Sequence, residues 1–197
     1  MSPPSEDSPN EFSLEYSPQE FSGEERALLL KLAHDAIASK IERREISLAS
    51  PSAHLGEPRG VFTTLYHRGN LRGCIGQVFP LTPLYRTVIE TARGAAFGDP
   101  RFPPLRNEEL PEVGVFLSIL SQLESIRPEE IEIGRHGLLI TLGSRRGLLL
   151  PQVPIEQEWD RITFLGQSCI KAGLPPNAWQ TGAEIAAFTA EVFGDRT

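Results

Sequence analysis

Cysteine is almost absent from this chain: 197 residues contain two, Cys74 and Cys169, far apart and without a Cys-x-x-Cys pair. That scarcity argues against a zinc ribbon and against a disulfide framework, and makes a reduced, cytoplasmic setting the expectation. Long apolar runs are missing too, so no segment reaches membrane-spanning length. Basic residues are outnumbered, 19 Lys and Arg against 26 Asp and Glu for a net charge of −7. No global electrostatic footprint for nucleic acid follows from that balance. The start, Met1-Ser2-Pro3-Pro4-Ser5-Glu6-Asp7, lacks the apolar centre of a signal peptide. There is no His-x-x-x-His pair, no Asp/Glu metal box and no phosphate-binding glycine loop, so no metal or nucleotide site is expected. Internal repeats are missing as well.

What is present suffices for one domain, or one domain with a minor lobe, with a self-sufficient core. Residues 1–18 carry Ser, Pro, Glu and Asp with few apolar anchors and read as a mobile tail. Ser22-Gly23-Glu24-Glu25 is a capping box, and Leu29, Ala33, Ala36, Ile37 and Ile41 recur at helical spacing, predicting a helix to about Arg44. Ser47 to Gly60 has no periodicity and reads as a loop, with His54 solvated. Val61 to His67 and the run from Leu71 form a β-hairpin around Arg68-Gly69-Asn70. A second helix is expected from Thr82 as N-cap and Pro83 at its first position to about Gly98. Val113, Val115, Leu117 and Ile119 alternate as a strand, and a second hairpin runs from Leu138 to Leu150. A last helix from about Glu156 buries Trp159, Ile162, Thr163, Leu165, Cys169 and Ile170 and stops at Gly173. Ala183 to Phe193 suits helix and strand equally by pattern.

One run looks built for chemistry: Leu71-Arg72-Gly73-Cys74-Ile75-Gly76. A thiol reacts as its thiolate, and a neighbouring guanidinium favours that form, so Arg72 is a candidate to activate Cys74. Gly73 and Gly76 mark places where a backbone or ligand approaches closely. The alternative is a small buried cysteine in a bulged edge strand. Hairpin register decides the neighbours. A two-residue Gly69-Asn70 turn, slightly favoured, sets His67 opposite Arg72 and Leu65 opposite Cys74, all on one face. A three-residue turn substitutes Tyr66 and Thr64.

Several separated segments are distinctive together: Gly60-Val61-Phe62, Leu71 to Gly76, Asp99 to Phe102, Gly134 to Leu138 with His136, Gly147 to Val153, and Cys169-Ile170-Lys171-Ala172-Gly173-Leu174. On these residues the chain is identified as a member of the AMMECR family, whose prokaryotic members are called AmmeMemoRadiSam system protein A. The resemblance spans about residues 25 to 193. It implies an α+β fold, an antiparallel β-sheet with flanking helices and a smaller β-rich lobe, so that residues 19–197 make a single AMMECR domain with two unequal lobes. It also implies that Ala183 to Phe193 is a strand. The family's activity is unsettled and its cofactor unknown; the system name implies a radical S-adenosylmethionine enzyme and a Memo-type protein as partners. With no cysteine triad for an iron–sulfur cluster, this chain does not supply the radical chemistry itself.

The leading reading is a cysteine-centred site: Cys74 as nucleophile or covalent carrier, Arg72 beside it, and glycine-flanked N–H groups for a developing oxyanion. His136, which the resemblance includes, is the preferred acid/base, against the alternative that it bonds a strand end. Asp99 either orients a histidine or pairs with Arg101 in a rigid turn, the turn being favoured. Gln152 is either a pocket ligand or a backbone clamp, the clamp being favoured. Cys169 reads as packing, and Trp159 and Trp179 as core or lobe-interface residues. The second reading is a non-catalytic binding or adaptor module presenting the hairpin groove. Nucleic-acid recognition through Arg72, Arg101, Arg135, Arg145 and Arg146 ranks last.

Overall fold

The computed structural model describes residues 19–46, 52–79 and 81–195; the expected tail over residues 1–18 and the first part of the Ser47–Gly60 loop lie outside the described residues. The chain divides into two compact units, one comprising residues 19–120 and 191–195, the other 121–190. Both are α+β.

The first unit holds helix α1 (Gly23–Glu42), strands β1 (Val61–His67) and β2 (Asn70–Gln77), helix α2 (Leu84–Phe97) and strand β3 (Val113–Leu120). Helix α1 starts where the capping box requires: Ser22 Oγ accepts from the Glu25 N–H and the Glu25 carboxylate accepts from the Ser22 N–H. It ends at Arg43, which takes the left-handed conformation at φ 55°. Helix α2 begins one residue later than the pattern suggests. Pro83 itself is the N-cap in an extended conformation, while the Thr82 hydroxyl turns to that of Thr87 at 3.2 Å. With β8 (Ala190–Gly194) as its fourth strand, the sheet order is β2-β1-β3-β8, so β2 is an edge strand.

Alternation along β1 gives this sheet two different faces. Val61, Thr63 and Leu65 lie opposite Ile119, Leu117 and Val115 and are fully buried with Leu29, Ile37, Leu84 and Val88 of the helices. The Thr63 hydroxyl completes that side through a 2.8 Å bond to Thr91 of α2. Phe62, Thr64 and Tyr66 point the other way and are only half-buried.

The β1–β2 register corrects the slightly favoured reading. His67 pairs with Asn70 across a two-residue Arg68-Gly69 turn whose φ angles are 51° and 77°, the primed geometry that matches strand twist. A bulge follows: Tyr66 pairs with Leu71, then Leu65 with Gly73 and Thr64 with Cys74. The extra residue is Arg72. Two residues opposing one shift the parity, so Thr64, not Leu65, faces Cys74, and Arg72 is not opposite His67.

The second unit holds β4 (Glu124–Ser125), β5 (Gly137–Leu142), β6 (Arg145–Leu149), the short α3 (Val153–Glu156), α4 (Arg161–Lys171) and β7 (Glu184–Phe188). Its sheet order is β4-β7-β5-β6, every pair antiparallel. Helix α4 is capped by the Asp160 carboxylate on the Thr163 N–H at 2.7 Å. At its other end Leu174 N–H reaches Cys169 O and Gly173 N–H reaches Ile170 O, with Gly173 at φ 71°, the glycine-requiring end expected from sequence. Its buried face is Phe164, Leu165, Ser168 and Cys169. Ile162 and Ile170 are 57% and 50% exposed, and Thr163 is exposed too, correcting their expected burial. Ser168 takes the inner position because its hydroxyl is satisfied by Phe164 O at 2.8 Å.

The final segment is extended, as the resemblance implies, and breaks at Thr189. Glu184–Phe188 pairs with β5, and β8 (Ala190–Gly194) joins β3 in the first sheet. Among the described residues no helix is long and apolar enough to cross a membrane.

Candidate functional site

The sheet of the first unit presents Cys74 on the face turned away from α2. Its neighbour Gly73 faces the helix: a Cβ there would lie 2.1 Å from Ala95 O, so only glycine lets the strand and helix backbones approach this closely. Cys74, next along the strand, must then point to the opposite side. There the Thr64 hydroxyl donates to its sulfur at 3.3 Å. The Phe62 ring covers Gly76, where a Cβ would meet it at 2.1 Å, and Tyr66 meets Phe116 edge-on with centroids 5.4 Å apart. A half-buried thiol and one hydroxyl thus sit in a row flanked by aromatic rings.

Asp99 fixes the backbone of this thiol. Only 2% of its side chain is exposed, and its Oδ2 accepts the Cys74 N–H at 2.8 Å. Arg101 holds the same carboxylate through its backbone N–H, Nε and a terminal nitrogen at 3.0, 3.0 and 2.8 Å. The favoured reading of a rigid Asp99–Arg101 turn agrees with these bonds. The Arg101 guanidinium, against the opposing effect of burial, holds the Asp99 carboxyl well below the usual carboxylate range, aided by both N–H groups. The Cys74 N–H is therefore committed to a carboxylate, which removes it from the oxyanion role expected of it.

Arg72 is placed elsewhere than the expected thiolate partner. Its Nε and a terminal nitrogen clasp the two Glu109 oxygens at 2.8 and 3.2 Å, leaving Nη1 buried without a bond among the described residues. That guanidinium, against the effect of burial, holds the Glu109 carboxyl down to about 2. A fixed countercharge at this distance cancels most of the positive field Arg72 would offer a sulfur. The thiol's one bonded polar neighbour among the described residues is Thr64, which sequence reasoning reached only through the less favoured register. Glu109 was missed, since nothing in Asn107-Glu108-Glu109 marks it locally.

His67 lies at the tip of the hairpin with Nε2 3.7 Å from Glu112, a residue that also pairs with Arg68. It stands three residues along β1 from Thr64, roughly 10 Å at strand rise, and on the opposite face. Its expected approach to Cys74 is corrected on that geometry. His136 lies in the second unit, half-buried, where its Nδ1 accepts the Glu132 N–H at 3.0 Å. Burial and the Arg135 charge push its pKa down against Glu132, so the ring is neutral near pH 7 with Nε2 carrying the proton. Gln152 is the N-cap of α3: its carbonyl accepts from Ile155 and Glu156, as any residue's would there, and its side chain makes no cap bond. Cys169 is fully buried among Ile140, Ala172 and Leu174, and burial pushes its thiol up, as expected of a packing residue. Trp159 and Trp179 pack on the apolar clusters of the second unit. Among the arginines read as a cluster, Arg72, Arg101 and Arg135 pair with Glu109, Asp99 and Glu132, and Arg145 donates to Gly173 O.

A sequence profile of the AMMECR1 family matches residues 30–193. A protein from Methanopyrus kandleri is 47% identical over 182 residues, covering 86% of this chain and 88% of its own length. One from Aquifex aeolicus is 39% identical over 178 residues, covering 85% and 91%. The crystal structure of an uncharacterised protein from Pyrococcus horikoshii superposes with a TM-score of 0.75 at 39% identity, covering 89% of this chain and 93% of that one. With one family profile spanning most of its length and relatives of matching size, the chain belongs to the AMMECR1 family.

Proposed function

We propose that Cys74 is the working group of this protein, as a nucleophile or covalent carrier for a small-molecule or protein substrate. The observation that carries this reading is the contrast between the two thiols. Cys169 is sealed in a core, whereas Cys74 is half-buried on the non-helical face of an edge strand, accepts a hydrogen bond from Thr64 and has its backbone fixed by Asp99. The Thr64 hydroxyl and the fixed backbone hold the sulfur in one orientation on a half-buried face. A radical S-adenosylmethionine enzyme and a Memo-type protein are the proposed partners, and the cytoplasm the proposed compartment. Intact-mass measurement of the native chain and of Cys74→Ser, each incubated in cell extract, tests the proposal. An adduct on the native chain that Cys74→Ser lacks supports it, and identical masses with equal function overturn it.

A second reading, a non-catalytic adaptor, has one observation in its favour. The charged groups next to the motif, Arg72 and Asp99, are already engaged by Glu109 and Arg101. A rigid recognition surface keeps its function in Cys74→Ser, because a hydroxyl preserves volume while removing the nucleophile.

A further inference from the structure

Where residues 19–22 join the first unit, a set of ionised side chains meets that the thiol site does not use. Glu191 on β8 is 2% exposed and accepts the backbone N–H groups of Glu20 and Phe21 at 2.6 and 3.1 Å, while Arg26 donates to its second oxygen at 2.7 Å. Phe21, so tethered, stacks on the ring of His54 with centroids 4.7 Å apart and planes 14° from parallel. His54 was expected to be a solvated loop residue. Instead its Nδ1 lies 3.1 Å from Glu25 Oε1 and its Nε2 lies 3.3 Å from Glu20 Oε1. Arg59 reaches the same Glu20 oxygen at 2.6 Å and Glu57 at 3.0 Å, and Ser52 donates to Glu25.

A carboxylate oxygen is an acceptor only, and a neutral imidazole carries one N–H. Both ring nitrogens facing carboxylates therefore donate together only in the imidazolium. Deprotonation turns one bond into a lone pair facing an anion and removes the charge that balances Glu20 and Glu25.

We propose that His54 is a proton-operated latch, closed as the imidazolium between Glu20 and Glu25, which pins the 52–57 loop and the Gln19–Ser22 segment to the first unit and loosens both when it deprotonates. The surrounding charges agree. Burial works against the imidazolium, but the bonds to Glu20 and Glu25 outweigh it and raise the His54 pKa above that of an ordinary histidine. Glu25, opposed by its own burial, is held below the usual carboxylate range by Ser22, Ser52 and His54. Histidine is the side chain that ordinarily changes charge near neutral pH, and among the described residues that meet at this joint His54 is the one histidine. A group with a raised folded pKa stabilises fully below its unfolded value, and that contribution disappears as pH rises through the folded value. The latch is closed on the acid side and open on the alkaline side.

Amide hydrogen exchange of the full-length protein at pH values spanning the His54 titration, followed by NMR together with the ring signals, tests the latch. The Glu20 and Phe21 amides are expected to lose protection, on the order of tenfold beyond intrinsic base catalysis, in step with His54 deprotonation, the equivalent of one charge-assisted hydrogen bond. In the double variant Glu20→Gln, Glu25→Gln the His54 pKa falls. In His54→Gln, the amides show weak protection across the whole range with no step. A His54 that titrates at or below its ordinary value in the native protein overturns the proposal. So does protection of Glu20 and Phe21 that ignores His54, or a step that persists in His54→Gln.

Discussion

Gly73→Ala isolates the close approach of β2 to α2. The new Cβ would lie 2.1 Å from Ala95 O, 3.0 Å from Ala95 C and 3.5 Å from Ala95 Cα. All three are backbone atoms of Ala95 in the last turn of α2, so no rotamer change relieves them. Either β2 or the last turn of α2 must move by about 1 Å against a core in which Leu65, Val88 and Ala92 are fully buried. Overpacking of well-filled interiors costs about 1–3 kcal/mol, and a contact with backbone on both sides belongs at the upper end. For a chain of this size about 3 kcal/mol corresponds to a fall in Tm of roughly 6–12 °C. Gly23→Ala is the matched control: no atom lies within 4 Å of its new Cβ, at the first residue of α1, and it is expected to be neutral or to gain up to about 1 kcal/mol. Calorimetric melting of the three proteins reads the difference directly. A Gly73→Ala protein melting within about 1 °C of the native one would refute the claim that glycine is held here by strand–helix contact.

Other outcomes follow from the same geometry. Asp99→Ala strands the Cys74 N–H and should cost about 1–3 kcal/mol by urea denaturation at pH 7. Because the Asp99 carboxyl is depressed, the native protein's advantage over Asp99→Asn should be present above the unfolded carboxyl pKa near ~4 and fade as pH falls through the lower folded value. In Arg72→Met, NMR titration should find the Glu109 carboxyl moved from about 2 back toward the ordinary range. Thr64→Val removes the bond that positions the sulfur and should slow Cys74 alkylation in the folded protein while leaving the rate in denaturant unchanged.

Much of the fold was legible because its signals are local. The capping box set the first turn of α1, Gly173 set the end of α4, and strict alternation from Val113 to Ile119 set the inner face of β3. The site was less legible because its decisive features are non-local. The bulge at Arg72 depends on how two strands accommodate α2 through Gly73, and it changes which residue faces the thiol. Arg72 stands two residues from Cys74 in sequence, yet its guanidinium answers to Glu109, 37 positions away. Similarly, Glu191 looks like the polar half of an alternating strand, but on β8 it faces inward and receives the chain before α1. Ala183 to Phe193 could not be decided by pattern because it is two short strands in two sheets, each too short to establish a period.

The central claim is that the two thiols differ in kind, Cys74 displayed for reaction and Cys169 retained for packing. Site-resolved mass spectrometry of the native protein during iodoacetamide labelling, across a range of pH, measures this most directly. The account predicts that Cys74 is alkylated in the folded state while Cys169 stays unlabelled until denaturant is added. Labelling of Cys169 at a comparable rate, or a Cys74 that reacts only on unfolding, would contradict it.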